Sequence, residues 1–133
     1  MKAAAGVVRV LVVDDEESVL EALTDLLAGP RVAVRTARSL AEALLLLEDP
    51  GFGLVITDLR LRGREDRDGF ALLEWMRLHR PGTPVLVITG LGGRDFERQA
   101  RRRGAAGCWR KSGALGDLLD LVERLGVWSG DDG

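Results

Sequence analysis

The sequence predicts an α/β domain: a single doubly wound, five-stranded parallel sheet with five helices. Apolar runs rich in Val and Ile recur along the chain with helical patterns between them, as buried parallel strands do. No tight hairpin signal joins them, so the strands must connect through right-handed crossovers that place helices on both faces. Four of the runs end in polar residues: VRVLVVDD at Asp14 and Asp15, LVITD at Asp58, VLVITG at Thr89 and Gly90, and GCWRKS at Lys111. Open α/β sheets bind ligands at the carboxyl ends of their strands, so three carboxylates, a hydroxyl and an ammonium are expected on one rim.

The first strand runs from about Val7 to Val13. Val19, Leu20, Leu23, Leu26 and Leu27 follow at helical spacing until Gly29 and Pro30 stop the helix. Arg31 to Ala37 alternates Val32, Val34 and Thr36 with more polar or small neighbours, the pattern of a less buried edge strand. Ser39 and Glu42 form a capping-box pattern, in which hydroxyl and carboxylate satisfy free amides at a helix start, ahead of Leu44 and Leu47. Asp49, Pro50 and Gly51 end that helix. The third strand is about Gly53 to Thr57, and a polar loop from Arg60 to Asp68 leads to Phe70, Leu73 and Met76 at helical spacing. His79, Arg80, Pro81 and Gly82 close it. Strand four is Pro84 to Ile88, and Gly92 with Gly93 opens a helix from about Arg94 to Arg103. That helix is almost wholly charged apart from Phe96 and Ala100, so only a narrow stripe can be buried. A short fifth strand, about Ala106 to Arg110, precedes a last helix marked by Leu115, Leu118, Leu119, Val122 and Leu125. The recurrence every 25 residues or so (roughly 25) is a βα rhythm and not a sequence repeat.

At 133 residues the chain is expected to form one domain over residues 1–128, with a short flexible tail at 129–133, and to bury roughly two thirds of its unfolded surface. A formal net charge of -2 gives no general attraction to nucleic acid or anionic membrane, so neither is an expected partner. The opening MKAAAG has the look of a signal n-region, but the apolar run behind it contains Arg9 and ends in two aspartates. No run approaches the length of a membrane span. Cys108 is the one cysteine; it cannot form an internal disulfide, and without an export signal the cytoplasm is the expected compartment.

Two unit charges about 4 Å apart cost roughly 4 kcal/mol at an effective dielectric of about 20, so Asp14, Asp15 and Asp58 cannot gather cheaply without cations. Mg²⁺ is the natural divalent choice, because it keeps several waters and is held by one or two carboxylates plus phosphate oxygens. Lys111 adds a fixed positive charge. A carboxylate neutralised in this way can act as a nucleophile toward phosphorus, and Asp58 suits the role because it stands alone at its strand end. Taken singly, each residue has a plainer explanation. An acidic pair after a strand suits a helix N-terminus, Asp58 reads as a loop residue, Thr89 as a β-branched strand residue, and Lys111 as a solvated charge. The conjunction at four strand ends favours the functional reading.

At these residues the chain resembles the receiver domain of bacterial two-component response regulators. The resemblance covers nearly the whole chain and rests on a combination: the acidic pair in VVDDEE, the aspartate in VITDLRL, Thr89 in VITG and the lysine in WRKS. It implies a flavodoxin-like fold with strand order 2-1-3-4-5 and a signalling switch in which Asp58 is the phosphoacceptor. It further implies that Asp15 ligates Mg²⁺ directly, that Asp14 acts mainly through water, and that the backbone carbonyl of Arg60 completes the protein ligands. Lys111 would pair with the phosphoryl oxygens. Thr89 would hydrogen-bond the phosphoryl group and draw the loop after strand four inward. The donor would be a phosphohistidine on a sensor histidine kinase or phosphotransfer protein, and the output would go to a downstream protein target. A homodimer through the fourth helix, fifth strand and fifth helix is a further possibility in such domains. The chain would accept a phosphoryl group and lose it again without being a turnover enzyme.

The chain departs from the family pattern in places. Arg62 stands where receivers commonly carry proline, and Asp68 and Gly69 come three residues later than usual, leaving GREDRDG as a longer charged loop. That loop is either kinase-recognition surface or a solvated insertion of small entropic cost, the latter being the plainer reading. Ser112 replaces a frequent cis-proline after Lys111, and a trans bond is expected there because a non-proline cis bond costs about 2.5 to 4 kcal/mol. Cys108 occupies the place of a Tyr or Phe whose rotation reports phosphorylation; it is expected to be a small buried hydrophobe, with Trp109 on the other face. His79 is read as a favourable charge against a helix dipole. Arg94, Arg98, Arg101, Arg102 and Arg103 are read as a solvated face, with a basic partner-binding or dimer face as the alternative. Neither Leu91 nor Arg60, which border the attacking water in such domains, resembles a residue that would position it, so slow loss of phosphate is expected.

The competing class is a degenerate, phosphorylation-independent receiver acting as an interaction module, against which the intact rim argues. A hydrolase of the haloacid-dehalogenase type would place Asp-x-Asp after the first strand, where here the aspartates adjoin. A dinucleotide-binding domain needs a glycine-rich turn at that point, and there is none. Because the sequence closes soon after the fifth helix, a switch without an attached output domain is expected.

Overall fold

A computed structural model describes residues 6–59, 68–90 and 94–125. Arg60, Arg62, the greater part of the GREDRDG loop, Leu91, the Gly92–Gly93 pair and the tail at 129–133 lie outside these. Five strands, β1 (Val8–Val13), β2 (Val32–Ala37), β3 (Leu54–Asp58), β4 (Val85–Thr89) and β5 (Gly107–Arg110), form one sheet in the order β2-β1-β3-β4-β5. Every neighbouring pair is parallel. The helices α1 (Glu17–Leu27), α2 (Leu40–Leu46), α3 (Asp68–His79), α4 (Arg94–Arg102) and α5 (Leu115–Arg124) alternate with the strands. This is the doubly wound fold the sequence predicts. Among the described residues no helix is long and apolar enough to cross a membrane.

The alternation of side chains along each strand divides the core into two layers. Val10 and Val12 of β1, Leu54 and Ile56 of β3, Leu86 and Ile88 of β4 and Trp109 of β5 pack with Leu20, Leu23 and Leu27 of α1 and Leu118 and Val122 of α5. Leu11, Val13, Val55, Val85 and Val87 face the other way, against Ala43 of α2, Phe70, Leu72, Leu73 and Met76 of α3 and Ala100 of α4. The central strands β3 and β4 are buried along their full length, whereas β2 is largely exposed, as an edge strand should be.

Local signals place most boundaries. Ser39 Oγ accepts the Glu42 amide at 3.1 Å, the expected cap of α2. Glu42 reaches one residue further back than the usual capping box and accepts the Arg38 amide at 2.8 Å. Arg9, a charge inside β1, pairs with Asp49 at 2.7 Å and covers the Phe52 ring. His79 lies in the last turn of α3, where its Nδ1 is 3.0 Å from the Trp75 carbonyl and its ring stacks on Trp75. β3 and β4 each run one residue beyond the sequence expectation, because register pairing continues through Asp58 opposite Ile88 and through Thr89 opposite Arg110. Both polar residues are thereby the last residues of strands, held by the sheet itself.

Candidate functional site

β1 delivers Asp14 and Asp15, β3 delivers Asp58, β4 ends on Thr89, and the turn after β5 carries Lys111. Asp14, Asp58 and Thr89 are buried and Asp15 is partly exposed. The Asp14 backbone extends the β1–β2 pairing by donating its amide to the Ala37 carbonyl at 3.0 Å. The Lys111 amide donates to the Thr89 carbonyl at 2.9 Å, which ties the lysine turn to the end of β4. Ligand oxygens of Asp14, Asp15 and Asp58 lie within 4.8 Å of one another. The predicted rim is therefore assembled, with the exception of the Arg60 carbonyl, which falls outside the described residues.

Lys111 organises the charge. Its ammonium donates to Asp58 Oδ2 at 3.0 Å and to Glu16 Oε1 at 2.9 Å. Asp14 Oδ2 lies 2.9 Å from the same nitrogen, an ion-pair distance without hydrogen-bond geometry, so this fully buried oxygen has no hydrogen-bond partner among the described residues. The other Asp14 oxygen accepts the Glu16 amide at 2.8 Å. Burial pushes the Asp14 carboxyl up to about 6, with nearby Asp58 adding to the rise and Lys111 and the Glu16 amide opposing it. For Lys111, burial alone would favour the neutral amine, but its close contacts with the Asp14, Glu16 and Asp58 carboxylates outweigh it and hold the ammonium above its ordinary range.

Among the described residues, one ammonium lies against three of the four carboxylates gathered here. Three clustered carboxylates, one with a buried oxygen that is ion-paired to Lys111 but lacks a hydrogen bond, make an all-oxygen donor set that fits a hard divalent cation such as Mg²⁺. Chemically, the arrangement can present the Asp58 carboxylate to an electrophilic phosphorus with cationic groups on either side.

Two contributors were not singled out by the sequence reading. Glu16 follows the acidic pair in VVDDEE with no role of its own in the sequence reading, yet its side chain meets Lys111. Trp109, expected only to face away from Cys108, does so and also donates its Nε1 hydrogen to the Ala114 carbonyl at 3.1 Å, pinning the turn that carries Lys111. Gly113 fits closely in that turn, since a Cβ there would lie 3.1 Å from the Arg110 carbonyl and 3.3 Å from the indole nitrogen, tight enough that the neighbours would have to give slightly. Cys108 corrects an expectation: it is half-buried rather than buried. β5 is a four-residue edge strand covered on that side by the narrow apolar stripe of α4, which leaves the thiol partly open. Burial still pushes its pKa up, away from reactivity. The Lys111–Ser112 peptide is trans, as expected.

A family model for the response regulator receiver domain matches residues 10–123. The chain is 37% identical over 114 residues to the response regulator protein PilR of Pseudomonas aeruginosa, covering 86% of this chain and 25% of that protein. It is 40% identical over 119 residues to FleR of the same organism, covering 87% and 24%. The chain thus spans about a quarter of the length of these curated relatives. Among solved structures, the receiver domain of HemR from Leptospira biflexa superposes with a TM-score of 0.79 at 31% identity, covering 89% of this chain and 93% of that one. A CheY-like receiver domain protein from Methanospirillum hungatei superposes with a TM-score of 0.80 at 27% identity, covering 90% and 93%. With the strand order, the rim and these likenesses in agreement, the chain belongs to the response regulator receiver domain family of two-component systems.

Proposed function

We propose that the chain is a phosphorylation-dependent signalling switch that accepts a phosphoryl group on Asp58. The observation that carries this reading is the Asp58 carboxylate at the end of β3, buried, 3.0 Å from the Lys111 ammonium and clustered with Asp14 and Asp15. Asp14, Asp15 and Asp58 would hold Mg²⁺, whose positive charge offsets that of the group being transferred. An Asp58 oxygen forms the bond to phosphorus as the P–N bond of a phosphohistidine breaks, the electron pair leaving with the imidazole. Lys111 turns an N–H from Asp58 to a phosphoryl oxygen, and Thr89 offers its hydroxyl from the end of β4. Burial keeps water from the resulting acyl phosphate.

The phosphodonor is a sensor histidine kinase or phosphotransfer protein. A small apolar groove of about 150 Å³ lined by Val19, Ala22, Trp109 and Leu115 opens beside Lys111 and offers such a partner a foothold next to the acceptor. The chain works in the cytoplasm, passes its state to a protein target, and is a phosphoacceptor rather than a turnover enzyme. Incubation with Mg²⁺ and a small phosphodonor, followed by intact mass measurement, tests the reading. A single phosphoryl adduct that disappears in Asp58→Asn is expected. Absence of any adduct on the wild-type chain would favour the degenerate interaction module, and sustained turnover of phosphomonoesters would favour a hydrolase.

A further inference from the structure

We propose that Glu16 is a positioning residue that anchors the Lys111 ammonium from outside the acceptor site, so that the lysine keeps its place while Asp58 changes its charge. The role rests on the reading of Asp58 as acceptor. An ammonium has three N–H donors. Here those with hydrogen-bond geometry go to Asp58 and Glu16, while Asp14 lies at contact distance without it. Once Asp58 carries a phosphoryl group, its oxygen no longer offers a full carboxylate to Lys111. Asp14 and Asp15 would hold the cation on that reading. Glu16 is the carboxylate on Lys111 that belongs to neither event.

Local structure supports the assignment independently. Glu16 is the N-cap residue of α1, a position favoured by short side chains that accept a helix amide. Its side chain makes no cap hydrogen bond. It turns instead toward Lys111, 95 residues away in sequence. Its backbone is held on both sides: the amide donates to Asp14 Oδ1 at 2.8 Å, and the carbonyl accepts from Val19 at 3.1 Å and Leu20 at 3.2 Å. A carboxylate fixed at its root and half exposed at its tip, with 56% of the side chain accessible, can hold a lysine stem that is itself only 18% accessible. Lys111 has four flexible bonds, so a lost anchor lets the ammonium wander from the attack geometry.

The test compares E16Q, which keeps an oxygen for the lysine, with E16A, which removes it. Because the Glu16 carboxylate is largely exposed and such pairs contribute about 0–1 kcal/mol, both variants should melt close to the wild type. Phosphorylation of Asp58 is followed by intact mass across concentrations of acetyl phosphate with Mg²⁺, separating maximal rate from half-saturating donor concentration. E16A is expected to lower the maximal rate by about tenfold, the scale on which small misplacements act, with the half-saturating concentration little changed. E16Q should restore most of that rate. In the metal-free chain, heteronuclear NMR of the lysine ammonium should show a slowly exchanging Lys111 signal that survives in E16Q and is lost in E16A. Either readout unchanged in E16A overturns the proposal, as does an E16Q variant as impaired as E16A. No adduct on the wild-type chain would instead overturn the acceptor reading itself.

Discussion

Asp14 bears the electrostatic strain of the rim. Its carboxylate is fully buried and its pKa stands at about 6, against an ordinary value of 3.8. Between those two values the folded chain holds a proton that the unfolded chain has released, so stability falls as pH rises through this window. The penalty of the ionised form is on the order of 1–3 kcal/mol above the folded pKa and fades below the unfolded one. Asp14→Asn should therefore stabilise the metal-free protein at mildly alkaline pH and do little in acid, as read by urea denaturation. The same proton competes with a cation: Mg²⁺ affinity, measured by calorimetric titration, should weaken as pH drops below about 6. A further residue-scale prediction concerns the phosphate lifetime. With Leu91 and Arg60 at the positions that border water in related domains, decay of phosphorylated Asp58 should be slow, and Leu91→Glu should change it. Fast decay that is indifferent to that substitution would contradict the expectation.

At the scale of elements, β3 and α3 are locked together around the acceptor. A Cβ on Gly69 would collide with the Asp58 carbonyl oxygen and the Leu59 Cα, both backbone atoms that cannot swing aside. Gly69→Ala should cost at least about 1–3 kcal/mol of stability, the scale of overpacking, and should also slow phosphorylation because the shift falls on Asp58 itself. Paired measurements of urea midpoint and adduct formation check this. The packing gives a reason for a glycine at position 69, where the backbone lies directly against the end of β3. α4 is bound to the sheet more lightly. Its buried contact is Ala100, with Phe96 stacked on Phe70 at a centroid distance of 6.1 Å and Glu97 paired with Arg110 at 3.1 Å. Exposed pairs of this kind contribute about 0–1 kcal/mol.

For the molecule as a whole, the central strands carry the stability and the edges carry the contacts. Leu86 lies fully buried in β4, and Leu86→Ala should cost about 2–5 kcal/mol by urea denaturation. Arg98, Arg101 and Arg102, with Asp95, are exposed on α4, and Asp117, Asp120 and Glu123, with Arg124, are exposed on α5, so the balance is basic on one helix and acidic on the other. Opposite charges on the flanks of β5 suit a pairing of two copies across that edge. Phosphorylated chain, or chain treated with beryllofluoride and Mg²⁺, should sediment as a dimer more readily than the untreated chain, and Arg101→Glu should weaken the association.

The sheet was legible in the sequence because burial on both faces demands unbroken apolar runs, and the polar rim was legible because a parallel sheet brings all strand ends to one side. Asp14, Asp15, Asp58, Thr89 and Lys111 could be named from those two facts alone. Nothing in the acidic run Asp14-Asp15-Glu16-Glu17 says which carboxylate is buried, which is half open and which turns to a lysine 95 residues on. Those differences depend on the cap geometry of α1 and on where the β5 turn puts its ammonium. The half-exposed Cys108 depended likewise on how much of an edge strand a charged helix covers. Pattern along the chain determines which residues share a face or an end; distances between chain-remote side chains set their pairing and charge, and only tertiary structure decides those.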